Sequence, residues 1–115
     1  MKILLSSQNL ELLSAVQQRL EKKLQTLERF TRKFGPEVVL EVLLVRDTKH
    51  HERGNIYSAQ AKLKIPGKDI FYEAEGTTLE EAVDKLKDNL KRLLIENKEK
   101  KESVWKKIAK IAKRE

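Results

Sequence analysis

Alternating apolar and polar residues predict a β-hairpin in the middle of the chain. The apolar positions of this alternation are Tyr57, Ala59, Ala61, Leu63, Ile65, Ile70, Tyr72 and Ala74. A period of two places successive side chains on opposite faces, so one face of each strand is buried. Pro66 and Gly67 suit the central positions of the turn between them. The polar positions, which would form an open face of the sheet, include Ser58, Gln60, Lys62, Glu73 and Glu75.

A period of three to four residues predicts one helix before this region and one after it. The first helix would begin near Leu12 and bury a stripe of Leu13, Val16, Leu20, Leu24, Leu27, Phe30 and Phe34. Gly35 and Pro36 would end it, because proline cannot continue a helix. The second helix would begin at Leu79, after Gly76, and extend at least to residue 97. Thr78 and Glu81 have the spacing of a capping box at its start.

Two further apolar segments, residues 2–6 and 38–45, predict the remaining strands, and Glu41 is the only charge in the second. The element order is therefore β-α-β-β-β-α. A helical connection makes the first two strands parallel, and hairpin connections make the last three antiparallel. The predicted fold class is α+β, with two helices packed on one face of a four-stranded sheet. This architecture is similar to that of a double-stranded-RNA-binding domain.

The positive charge of the chain is concentrated in two segments. The formal net charge is +7 over 115 residues. Residues 1–34 contain seven Lys/Arg and three Glu. Residues 101–115 contain six Lys/Arg and two Glu, so each segment has a net charge of +4. This distribution favours a polyanionic partner, with nucleic acid ahead of an anionic membrane surface.

Cations lie beside the apolar stripe of each predicted helix. In the first helix they are Arg19, Lys22, Lys23, Arg29, Arg32 and Lys33, and in the second they are Lys85, Lys87, Lys91, Arg92 and Lys98. Their one-turn spacing matches successive phosphates, although an ordinary solvated face can show it too. In the second helix, Glu81–Lys85 and Asp88–Arg92 also have the spacing of pairs within a helix. Contact with RNA and pairing within that helix are therefore both open.

The residue inventory does not favour an enzyme. The chain has no cysteine, and it contains none of the common hydrolase or phosphate-loop motifs. His50 and His51 are adjacent in a polar segment without a third ligand at a recognised spacing, so a solvated loop is preferred to a metal site. We expect no cofactor and no small-molecule substrate. No apolar run reaches membrane-spanning length.

Residues 99–115 form a basic amphipathic tail that follows a domain predicted at residues 1–98. Its apolar positions are Val104, Trp105, Ile108, Ile111 and Ala112. The tail either continues the second helix or forms a separate short one, and a frayed, solvated segment is the alternative. Because an isolated helix of this length is marginal in water, the single Trp favours an ordered contact.

Residues along the hairpin and the second helix also carry a resemblance to a known family. They are His51, Gly54, Tyr57, Ala59, Ala61, Pro66, Gly67, Ala74, Glu75, Gly76, Ala82, Asp84, Asp88, Leu90 and Arg92. This ordered set resembles the ribosome hibernation-promoting factors, and together with the first third of the chain it covers roughly residues 1–98. The chain departs from the family at Thr26, where the family usually has Lys, and at Asn89, Leu93 and Glu96.

The resemblance implies a short-form, cytoplasmic hibernation factor without the second, dimerising domain of long-form members. It implies binding to the small ribosomal subunit and its ribosomal RNA in the mRNA and tRNA channel, inhibition of translation by occlusion, and stabilisation of idle ribosomes under stress or in stationary phase. Phosphate contacts are expected from Lys22, Lys23, Arg29, Lys87, Lys91, Arg92 and Lys98. Two alternatives are a general module for structured RNA and a protein- or membrane-docking module that uses the Trp105 helix. Of these partners, a membrane is disfavoured.

Overall fold

The computed structural model describes residues 1–47, 54 and 56–114, and it describes the side chains of the last helix as far as residue 96. The strands are β1 (Lys2–Gln8), β2 (Val39–Asp47), β3 (Ile56–Ile65) and β4 (Lys68–Gly76). The helices are α1 (Ser14–Gln25), α2 (Glu28–Thr31) and α3 (Leu79–Arg114), with a 3₁₀ turn at Arg32–Phe34. The order β-α-β-β-β-α is confirmed, with the first helical region divided into parts.

The strands form one sheet in the order β1-β2-β3-β4. β1 is parallel to β2, and the pairs β2–β3 and β3–β4 are antiparallel, as predicted. β2 is an interior strand of the sheet. Glu41, the one charged residue of the predicted segment 38–45, lies on the open face, where its Oε1 is 3.1 Å from Lys64 Nζ. Gly67 has a φ of 86°, which is the left-handed conformation that this turn position requires.

The long helices pack on a single face of the sheet, which confirms the predicted layers. The buried helical side chains are Leu20, Leu24, Ala82, Val83, Leu86, Leu90 and Leu94. They form one core with alternate residues of the interior strands, namely Leu40, Val42, Leu44, Ala59, Ala61 and Leu63. Burying one such leucine contributes about 1.5–3 kcal/mol, so these contacts fix where each helix lies on the sheet.

The prediction of one continuous first helix from Leu12 to Phe34 is wrong. α1 begins two residues later, and Leu13 precedes it in an extended conformation with 61% of its surface exposed. The helix also ends at Thr26, whose hydroxyl donates a 2.7 Å hydrogen bond to the carbonyl of Lys23. The tighter turn that follows, with Leu27 N–H donating to the carbonyl of Leu24, keeps Leu27 in the core.

The open face of the sheet largely follows the predicted alternation, with one exception. Gln60, Glu73 and Glu75 are exposed and Lys62 is half-buried, whereas Ser58 is only 7% exposed. Ser58 lies on an interior strand between Val45 and Glu75, and these larger neighbours cover its small side chain. The prediction of an exposed Ser58 was therefore wrong, because alternation gives the face of a residue and not the size of its neighbours.

Gly76 permits close packing between the end of β4 and the start of α3. A Cβ atom at this position would lie 2.8 Å from the backbone nitrogen of Ala82, which is too close for any side chain. Gly76 is the last residue of the strand, where the sequence indicated only a break. The short Thr77–Thr78 connection then leads directly into the helix, so the glycine sets where α3 begins against the sheet.

The N-terminus of α3 is capped by Thr78, as the sequence predicts. Thr78 Oγ1 accepts a 3.0 Å hydrogen bond from the Glu81 N–H. In a capping box the Glu81 side chain would accept a hydrogen bond from the N–H of Thr78. Here Glu81 Oε2 accepts instead from the N–H and the hydroxyl of Thr77, at 3.2 and 2.8 Å. The hydroxyl of Thr77 and the ammonium of Lys85 lower the pKa of Glu81 from 4.5 to about 2.

α3 continues as one helix to Arg114, which is the first of the two arrangements considered for the tail. The contacts expected of Trp105 and the other apolar tail positions lie outside the described side chains, and the boundary at residue 98 stays a prediction. Among the described residues, no helix is apolar over a length that would cross a bilayer.

Candidate nucleic-acid interface

α1 and α3 lie side by side and run in the same direction along the sheet. Three contacts show this, and they join Arg19 to Glu80, Lys23 to Asp84, and Lys33 to the carbonyl of Leu94. We call the solvent-facing side of this helix pair the interhelical surface. Its paired half comprises Arg19, Lys23, Glu80, Asp84 and Lys87. Its Phe30 end comprises Arg29, Phe30, Lys33 and Lys91.

Carboxylates accompany every cation of the paired half. Lys23 Nζ lies 2.9 Å from Asp84 Oδ1 and 3.7 Å from Glu80 Oε1. Arg19 Nε is 3.1 Å from Glu80 Oε1, and Lys87 Nζ is 3.9 Å from Asp84 Oδ1. The hydrogen bond to Asp84 raises the pKa of Lys23, so its ammonium stays charged. Three cations and two carboxylates leave this half with a net charge of only +1.

The cations at the Phe30 end lie against aromatic rings. The Arg29 guanidinium carbon is 4.7 Å from the centroid of the Phe30 ring, and Lys91 Nζ is 5.5 Å from the same centroid. Such contacts hold a cation over a ring without neutralising it. Lys33 Nζ donates a 3.2 Å hydrogen bond to the carbonyl of Leu94 and lies 5.1 Å from the Phe34 ring.

Arg29 and Lys91 are exposed and keep their full charge. Neither has a carboxylate oxygen within 4.0 Å in the part of the chain that the structure describes. Lys22 and Arg92 are also exposed and, within the same described ranges, have no ion pair. These four of the seven predicted contact residues can therefore reach phosphate oxygens without first breaking an ion pair within the described part of the chain.

Lys23 and Lys87 are placed differently from the other predicted contact residues. Both are half-buried, and they share the carboxylate of Asp84. The side chain of Lys98 lies outside the described residues, so its contact stays a prediction. The structure thus divides the predicted set into two groups, although the sequence presented it as one.

Within α3, one of the two expected ion pairs is formed. Glu81 Oε1 and Lys85 Nζ are 3.0 Å apart. Asp88 instead approaches Lys87 at 4.0 Å, and no ion pair joins it to Arg92 in the described part of the helix. Pairing within the helix therefore leaves Arg92 available.

Sequence reasoning missed two features of this surface. The pattern of α3 alone gives no sign that Glu80 and Asp84 contact cations of α1, as both do in the structure. Phe30 was assigned to the core, but its half-buried ring also lies beneath Arg29 and Lys91. Spacing within one helix could not reveal contacts between residues 61 positions apart, because they depend on how the helices pack.

Within the part of the chain that the structure describes, no second site of recognisable chemistry competes with this surface. The described residues contain no group of three or more His, Cys, Asp or Glu side chains arranged for a metal ion, and His50 and His51 fall outside them. A shallow depression of about 630 Å³ crosses the open face of the sheet from β1 to β4, and Leu4, Leu43 and Phe71 contribute to its lining. It contains none of the predicted phosphate contacts.

Two parallel helices on one face of a β1-β2-β3-β4 sheet, with cations on the outer side of the helix pair, define an α+β class of protein with a cationic helical surface. The chain belongs to the family described as Sigma 54 modulation protein / S30EA ribosomal protein, which matches residues 3–102. The family is not one of enzymes.

Solved structures and a curated protein agree with this assignment. The fold is similar to the Protein Y N-terminal domain of Thermus thermophilus, with a TM-score of 0.65 and 28% identity over 82% of this chain and 96% of that chain. It is also similar in fold to a ribosomal subunit interface protein from Coxiella burnetii, with a TM-score of 0.65 and 22% identity over 85% of this chain and 98% of that chain. The ribosome hibernation promotion factor of Deinococcus radiodurans is 33% identical over 90 residues, or 78% of this chain. The chain spans 45% of that relative's length.

Proposed function

We propose that this chain binds the small ribosomal subunit in the channel for mRNA and tRNA and inhibits translation by occupying it. Idle ribosomes would thereby be held in a protected state under stress or in stationary phase. The observation that carries the proposal is the pair of exposed cations Arg29 and Lys91, which lie together over Phe30 and have no carboxylate partner among the described residues, on a member of a ribosome-associated family.

The physical basis of binding is the replacement of counterions along ribosomal RNA. Each Lys or Arg that reaches a phosphate releases condensed cations, so affinity falls steeply as salt is added. Arg29 is suited to this role because a guanidinium can donate two parallel hydrogen bonds to one phosphate. Lys91 and Lys33 would extend the contact as single charges, while Lys22 and Arg92 would reach phosphates on either side. Lys23 and Lys87 would contribute less, because Asp84 competes for them.

Occlusion requires no catalytic group and no cofactor. The domain would act by filling space that mRNA and tRNA otherwise occupy, and RNA recognition by shape and backbone contacts suits such a role. Because its partner is the ribosome, the proposed location is the cytoplasm.

Co-sedimentation with ribosomal subunits over a series of salt concentrations tests the proposal directly. We expect the protein to travel with the small subunit at low salt and to be released progressively as salt rises. Added tRNA should compete with it. Protein that stays at the top of the gradient at low salt would reject ribosome binding, and binding that tRNA does not reduce would reject occlusion of the channel.

A general module for structured RNA is the second candidate, because the parallel helices on one sheet face are the arrangement expected of a double-stranded-RNA-binding domain. Direct titration with free tRNA separates the two candidates, since a general module would bind tRNA about as tightly as it binds the small subunit, whereas a protein specific for the channel should bind the subunit more tightly. Docking through the Trp105 helix stays a prediction, because those side chains lie outside the described residues.

A further inference from the structure

Two carboxylates occupy one half of a surface that is otherwise suited to polyanions. Glu80 and Asp84 lie one turn apart on α3, and both contact Lys23. Their side chains are 45% and 40% exposed, so they face solvent as well as their cation partners. A phosphate approaching Lys23 would therefore come close to two negative charges.

Stability alone gives a weak reason for these carboxylates. Ion pairs with this degree of exposure contribute about 0.2–1 kcal/mol each. The buried side chains of Leu20, Leu24, Leu86 and Leu90 already hold the helices on the sheet. The carboxylates also reduce the charge available for binding RNA, which is a cost to a surface with that function.

Because the carboxylates lie in one half of the surface, the surroundings of its cations change along the helix axis. Eleven residues separate Glu80 from Lys91, which corresponds to about 16 Å along α3. Over this distance the surface changes from carboxylate-accompanied cations to cations held over aromatic rings. A double-stranded-RNA-binding domain, in contrast, follows a regular duplex for about 16 base pairs.

We propose that Glu80 and Asp84 determine specificity by keeping regular RNA duplex off the paired half, so that the surface selects compact clusters of phosphates in folded RNA, which contact the Phe30 end. A continuous duplex laid along both helices would bring phosphates past the carboxylates. A sharply folded backbone can reach the Phe30 end alone. This inference rests on the proposed function and specifies the class of RNA that the same surface accepts.

The test compares Asp84→Asn and Glu80→Gln with the unaltered full chain. Each protein is titrated with a plain RNA duplex and with tRNA as a compact folded RNA, at several salt concentrations. For the duplex, we expect each substitution to raise affinity up to about tenfold and to steepen the slope of log K against log salt by roughly one, because a cation becomes available to phosphate, Lys23 in Asp84→Asn and Arg19 in Glu80→Gln. Affinity for tRNA should change about twofold or less, so the preference for folded RNA should fall.

Two further variants isolate the role of carboxylate position. Glu73→Gln removes the same charge from the open face of the sheet and should change neither affinity. Asp84→Glu keeps the charge and should restore discrimination against the duplex. Thermal unfolding of every variant shows whether the fold is retained, and Glu80→Gln carries the test if Asp84→Asn does not fold.

Two outcomes would overturn the inference. In the first, Asp84→Asn and Glu80→Gln bind the duplex with the same affinity and the same salt dependence as Glu73→Gln. The other is an equal gain for duplex and tRNA, which would show a general charge effect without selectivity. Neither result depends on ribosome binding. The co-sedimentation with ribosomal subunits tests the proposed function separately, so a failure of one proposal can be told from a failure of the other.

Discussion

The paired half and the Phe30 end of the interhelical surface contain the same kinds of cation in different surroundings. In the paired half, Lys23 and Lys87 share the carboxylate of Asp84. At the Phe30 end, Arg29 and Lys91 are positioned by an aromatic ring that leaves their charges intact. The number of lysines and arginines on a helix therefore does not measure its capacity to bind RNA, because the neighbours of each cation decide how much of its charge is available.

The comparison predicts that removing charge from the Phe30 end has the larger effect on binding. Arg29→Gln combined with Lys91→Gln should weaken binding to the small subunit about a hundredfold at low salt, or roughly 1.4 kcal/mol for each lost phosphate contact. The slope of affinity against salt should also flatten by about two contacts. Ribosome co-sedimentation over a salt series measures both quantities.

Two double variants with the same loss of charge serve as comparisons. Arg19→Gln with Lys87→Gln alters the paired half and should weaken binding clearly less. Lys2→Gln with Lys68→Gln removes exposed charges that lie outside the interhelical surface and should have the smallest effect. Equal losses in all three variants would mean that only the total charge matters, and the distinction between the two halves would fail.

Much of the fold follows from local patterns. The alternation of residues 57–65 and 70–75 is sufficient to predict β3 and β4, because the side-chain period of a strand depends only on neighbouring residues. The same holds for the buried stripe of α3 from Val83 to Leu94. The break after α1 could not be predicted in this way, because threonine is compatible with a helix and packing of Leu27 in the core fixes the turn there.

The candidate site was less predictable than the fold, because it depends on the alignment of two helices. Lys23 and Asp84 were both noted in the sequence, yet their 2.9 Å contact spans 61 residues. It requires α3 to begin close to the end of β4, which only a glycine at position 76 permits. A change of one residue in that start would rotate Asp84 by about 100° around the helix axis and away from Lys23.

A new cation at position 26, between the two halves, should have a moderate effect on the affinity for the small subunit. Thr26 is exposed and lies between Lys23 and Arg29 in the chain. Thr26→Lys should therefore strengthen binding to the small subunit about fivefold and steepen the salt slope by roughly one contact. Thr26 has a helical φ of −63°, which lysine adopts without strain.

Thr26→Gln is the control for this variant, since it removes the same hydroxyl without adding charge. The hydroxyl donates to the carbonyl of Lys23, so both substitutions should lower thermal stability slightly and by similar amounts. If Thr26→Lys binds no more tightly than Thr26→Gln at any salt concentration, the region between the two halves does not face RNA.

The smallest expected effect concerns the start of α3, which holds the carboxylates of the paired half in place. The pKa of Glu81 is about 2 in the folded chain and 4.5 without these contacts, so its contribution to stability is present above pH 4.5 and is lost as the pH falls towards 2. Glu81→Gln should therefore lower the melting temperature near neutral pH, and the difference from the unaltered chain should shrink over this range. Hydrogen exchange should accelerate at the amides of the first turn, around Glu80, and stay unchanged near Lys91. A melting-temperature difference that is independent of pH would show that the charge of Glu81 does not stabilise this end of the helix.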